Sequence, residues 1–100
     1  MAIGLAIQNI AKYLGRYQQV TSIVDGIQRQ IQMVTLSASG NPQAFQGGPI
    51  QMRLEKLQAE LAMYTFLQGL FKEFIEYWKQ VLKDLMAMIK SLSELAQGAR

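Results

Sequence analysis

The chain has 100 residues, half of them hydrophobic, with 10 Lys and Arg against 7 Asp and Glu and a net charge of +3. It contains neither cysteine nor histidine, which excludes a disulfide framework, thiolate chemistry, and both the commonest general base and the commonest transition-metal ligand. Its Lys and Arg residues are scattered rather than gathered on a basic face, which argues against nucleic-acid binding.

A chain of this length makes one domain, residues 1–100. The amino-terminal run Met-Ala-Ile-Gly-Leu-Ala-Ile lacks the basic start of a secretory signal, and it stops at Gln8 and Asn9 before an apolar signal core is complete. No stretch approaches the roughly 18–20 apolar residues that cross a bilayer. The expectation is synthesis in the cytoplasm, with any export to the cell surface proceeding without a cleaved signal peptide.

A first helix is expected over residues 3–37. Apolar residues follow a four-three spacing through Ile3, Ile7, Ile10, Leu14 and Tyr17, then through Val20, Val24, Ile27, Ile31 and Val34. Two successive steps of three, Leu14–Tyr17–Val20, join the halves and predict a local overwinding of helix packing. Many of these residues are β-branched, but strict alternation is absent and the segment is too long for a strand.

Gly4, Gly15 and Gly26 recur every eleven residues, which places them nearly in line on a helix. Each costs about 1 kcal/mol of helix stability relative to Ala. Such a row suits close approach by another helix, either from the same chain or from another subunit, and it marks all three as candidate assembly positions.

Residues 38–49 form the expected loop. Gly40 suits the position just past a helix end, and Asn41-Pro42 and Gly48-Pro49 break regular structure. Phe45 either tucks back between the helix ends or sits exposed at a binding tip. Pro49 fits the first turn of a second helix.

That second helix is expected over 50–96. Its four-three seam runs Ile50, Leu54, Leu57, Leu61, Tyr64, Gln68, Phe71, Ile75, Trp78, Leu82, Leu85, Ile89, Leu92 and Ala96, the pattern of a coiled-coil stripe roughly 70 Å long. Gln68, the one polar member, reads as a register-setting amide. Beside it lies a second stripe, Met63, Leu67, Leu70, Phe74, Tyr77 and Val81. One partner helix covers about one stripe, so residues 63–82 ask for more than one neighbour. Tyr64, Leu67, Leu70, Phe71, Phe74, Tyr77, Trp78 and Val81 are therefore candidate interface residues. Lys56–Glu60 and Lys72–Glu76 are spaced for ion pairs on the solvated side, and fraying is expected from Ser91 onward.

Little in the sequence carries chemistry. Glu73 and Glu76 are spaced to share a hard cation, but Lys72 and Lys79 bracket them, which favours a solvated charged face. No nucleophile–base pair can be assembled without His or Cys, and no phosphate-binding glycine fingerprint is present. Neither enzymatic activity nor a metal or cofactor is expected. Insertion of the aromatic stretch into a membrane interface is disfavoured by the mixture of Glu and Lys on the polar side.

The expected fold is all-α: two long antiparallel helices in a hairpin, with spare apolar faces buried by many copies of the same chain in a larger helical oligomer. Asn41-Pro42, Leu57-Gln58, Leu61, Tyr64-Thr65, and Lys83-Asp84-Leu85-Met86 with Ile89 resemble the needle subunits of type III secretion systems, over roughly residues 41–92. That resemblance implies a small hairpin, exported without a signal peptide, that polymerises into a hollow helical tube. It implies that Asn41 and Pro42 make the turn and that Lys83, Asp84 and Ile89 belong to the inner helix lining the channel. The function expected is a structural subunit of a filament or tube, of the secretion-needle or inner-rod kind. The alternative is a helical-hairpin binding module acting as a heteromeric partner or secretion chaperone. For the filament reading, the partners expected are copies of the same chain, with a secretion chaperone as a further candidate.

Overall fold

A computed structural model describes residues 2–38 and 48–98. They form two helices, α1 (Ala2–Ala38) and α2 (Pro49–Gly98). Both begin and end within two residues of the bounds expected from periodicity. Pro49 opens α2, where a missing backbone N–H leaves no hydrogen bond unmade; the Met52 N–H donates to the Gly48 carbonyl at 3.2 Å. Near the end of α1, the Thr35 and Ser37 hydroxyls donate to the carbonyls of Ile31 and Met33 at 2.8 and 2.9 Å. These bonds satisfy the hydroxyls without leaving the helix. The expected fraying at Ser91 does not occur, and α2 continues through Ser93 and Gln97 to Gly98. Gly40, Asn41, Pro42 and Phe45 lie outside the described residues.

The chain divides into two compact units, one of Met1–Tyr17 with Leu70–Arg100 and the other of Gln18–Gly69. In the Gln18–Gly69 unit, Val20, Val24, Ile27 and Ala38 of α1 and Leu57 of α2 are buried. Thr21 meets Gln68, whereas Val34 and Ile50 line one groove, so the two helices run antiparallel there. In the other unit, Ala6 and Ile75 are buried. Tyr13 lies against Phe71 and Phe74, with ring centroids 6.2 and 5.1 Å away, while Ile3 lines a groove with Met86 and Ile89. That pairing is antiparallel as well.

Burial along α1 corrects the expected seam. The apolar side chains withdrawn from solvent are Ile3, Ala6, Ile10, Tyr13, Tyr17, Val20, Val24, Ile27, Ile31, Val34 and Ala38, an unbroken three-four alternation. Ile7 and Leu14 are instead 53% and 43% exposed. With Ala6 and Tyr13 in their places, the double step of three disappears, and with it the reason for overwinding. The larger aliphatic side chains misled the reading, because burial follows the face opposite α2 rather than the size of the residue on it. A methyl group suffices at Ala6, which is 0% exposed.

The α2 seam behaves as expected from Ile50 to Leu85, every member being buried or half-buried. Beyond it, Ile89, Leu92 and Ala96 are exposed. The described part of the chain thus buries seven hydrophobic residues, and none of its large side chains is fully enclosed.

Candidate interaction surface

The unit built from Met1–Tyr17 and Leu70–Arg100 carries two rows of residues set beside its seam. On α1, Gly4, Ile7, Ala11 and Leu14 each come one position after a seam residue. On α2, Leu70, Phe74, Tyr77, Val81, Asp84 and Met88 each come one position before a seam residue. In an antiparallel helix pair, positions just after the seam on both helices share one face, and positions just before it share the other. The two apolar rows therefore lie on opposite faces of this unit. Both are open: Phe74 is 37%, Tyr77 62% and Met88 58% exposed. Leu70 and Val81 are half-buried, as are Phe71 and Trp78 in the seam itself. Rings link the seam to the row, with Phe71–Phe74 centroids 6.4 Å apart and Tyr77–Trp78 centroids 5.5 Å apart at nearly right angles.

In the Gln18–Gly69 unit, Tyr64 and Leu67 are half-buried while Met63 and Phe66 stand exposed. Met52 and, on α1, Ile23 and Met33 are exposed as well. The second stripe foreseen on α2 is thus present in each unit, with its small or medium members partly covered and its largest members open. These side chains leave apolar surface open in each unit.

None of the three glycines belongs to the seam: Gly4 follows Ile3, Gly26 precedes Ile27, and Gly15 lies midway between Tyr13 and Tyr17, the last two glycines being half-buried. Gly4 is exposed, and a Cβ added to Gly4, Gly15 or Gly26 would meet nothing within 4 Å. Close approach of another helix of the same chain therefore does not account for these glycines.

Charged groups are solvated. Glu76 pairs with Lys79 at 3.7 Å rather than with Lys72, and among the described residues Lys56 and Glu60 do not come within ion-pairing distance. Lys12 lies 5.5 Å from the Tyr13 ring centroid, a distance at which a cation is attracted to the ring face. Lys83 and Asp84 are exposed, and Asp84 accepts a hydrogen bond from the Gln80 side chain at 2.9 Å. Ile89 is exposed on the seam side of α2. Among the described residues, no three acidic groups gather to hold a metal ion. No described helix is long and apolar enough to cross a membrane. The groove lined by Ile3, Met86, Ile89 and Lys90 has a volume of about 540 Å³ and opens broadly to solvent.

No family model, curated protein or solved structure matches this chain. Its functional reading rests on its own surfaces.

Three features escaped the sequence reading. Ala6 and Tyr13 sit in the seam, and they were legible as the choice that keeps the three-four alternation unbroken. The outward row of α2 runs past Val81 to Met88, interrupted by the single charge Asp84. Thr21, the hydrogen-bond partner of Gln68, carried no signal, because a Thr beside a seam is ordinary.

Proposed function

We propose that the chain is a structural subunit that self-assembles into a helical filament or tube, of the kind formed by secretion needles or inner rods. The observation that carries this reading is the pair of open apolar rows on opposite faces of one helix unit. A single two-fold contact joins the same patch on both partners, whereas joining two different patches generates rings or open helical arrays. The resemblance of residues 41–92 to needle subunits adds the secretion context, including export to the cell surface without a cleaved signal. Binding capacity, rather than chemistry, is what these surfaces offer.

The experiment is purification of the chain alone, followed by size exclusion, light scattering and negative-stain microscopy across a concentration series. Uniform fibres or tubes are expected. A stable monomer at all concentrations, or a strict one-to-one complex with another protein, would sink the reading and favour a heteromeric binding module.

A further inference from the structure

The charges beside the two apolar rows are unevenly divided, and their division specifies how one copy meets the next. On α2, the positions just after seam residues include Lys72, Lys79, Lys83 and Lys90, opposed in that row by Glu76, which already pairs with Lys79. The row just before the seam holds one charge, Asp84, and Glu73 lies next to it on the outer side of the helix. Neither Asp84 nor Glu73 has a Lys or Arg within ion-pairing distance among the described residues. One face of the unit thus presents the α1 row beside a lysine row. The other presents the α2 aromatic row with acids at its outer edge and, along α1, Lys12 and Arg16.

We propose that a second copy of this chain is the occupant of these faces and that the contact is heterologous. The α2 row of one copy (Phe74, Tyr77, Val81, Met88) packs on the α1 row of the next (Ile7, Ala11, Leu14), with the copies offset by one helix. The inference rests on the self-assembly reading above and deepens it by naming the two surfaces and the charges that align them. Offset stacking puts Lys72 and Lys83 of one copy against Glu73 and Asp84 of the other. Packing the same two rows without the offset, by turning one copy through half a turn, would instead set the lysine row over Lys12 and Arg16, which precede seam residues Tyr13 and Tyr17 and so lie on the aromatic side; like charges juxtaposed in this way oppose association. Gly4 and Ala11 add little bulk to the α1 row, so the bulky α2 row can approach its backbone. Each copy then uses one face to receive and the other to dock, and the array propagates.

Paired charge reversals in the full-length chain test this. Lys72→Glu with Lys83→Glu makes both sides of the contact acidic, and Glu73→Lys with Asp84→Lys makes both sides basic. Each double variant is expected to keep its helical circular dichroism signal and to raise the concentration needed for assembly by at least roughly tenfold. An equimolar mixture is expected to recover assembly, because alternating copies restore opposite charges at every contact. If the unaltered chain assembles and each double variant assembles equally well alone, the pairing is overturned while self-assembly stands. Loss in each variant without recovery on mixing also overturns it. Failure of the unaltered chain to assemble removes the underlying reading itself.

Discussion

The side-chain amide of Gln68 donates a hydrogen bond to the Thr21 hydroxyl at 2.9 Å, joining α2 to α1 across a half-buried seam. A polar residue in an otherwise apolar stripe is costly wherever its partner is missing. Sliding either helix by one turn would part Gln68 from Thr21 and bury the amide against aliphatic side chains. The pair thereby selects one register among several that the apolar spacing alone would tolerate.

The cost of breaking that pair depends on which partner is left behind. Gln68→Ala should destabilise the chain by about 1–2 kcal/mol, since it strands the Thr21 hydroxyl and removes packing. Gln68→Leu combined with Thr21→Val should be near neutral, because both polar groups leave together. Denaturant titration of the helical signal, below any assembly concentration, separates the two outcomes; equal losses would deny the bond a register role.

Tyr13 and Leu14 test where the α1 seam lies. Tyr13→Ala removes a half-buried ring in contact with Phe71 and Phe74 and should cost about 2–3 kcal/mol, less than full burial would give. Leu14, 43% exposed, should cost under about 1 kcal/mol when replaced by Ala. The reverse order in thermal or denaturant melts would restore the seam through Ile7 and Leu14.

Along α2, Ile75 and Trp78 divide stability from size. Ile75 is 6% exposed, and Ile75→Ala should cost about 2–4 kcal/mol. Trp78 is larger but half-buried, so Trp78→Ala should cost about 2 kcal/mol, below the range for a core aromatic. A greater loss at Trp78 in the dispersed chain would mean that its ring is more enclosed than the surface areas indicate.

Gly15 separates folding from assembly. No atom lies within 4 Å of the Cβ it lacks, so Gly15→Ala should raise helix stability by about 1 kcal/mol. Gly15→Leu should leave helicity intact while reducing assembly, because the added bulk stands on the outward side of α1. Sedimentation alongside circular dichroism reads both effects; undiminished assembly of the Leu variant would remove Gly15 from the interface.

Two helices, their bounds and the buried stripe from Ile50 to Leu85 were legible in the sequence, because a three-four apolar repeat admits few other solutions. The glycine row was legible too, although its direction was not. Periodicity says which residues share a face; it does not say which face the partner helix takes. On α1 two stripes compete, one through Ile7 and Leu14 and the other through Ala6 and Tyr13. Pairing with Phe71 and Phe74 decided for the second, since a tyrosine ring reaching two phenylalanines recovers more contact than an aliphatic side chain turned partly outward. That choice left Ile7, Leu14 and Gly4 in solvent, and the same geometry left Phe74 and Tyr77 open on the opposite face. Local spacing determined the helices, and the antiparallel pairing determined which apolar surface remained open, because a side chain can face only one neighbour at a time.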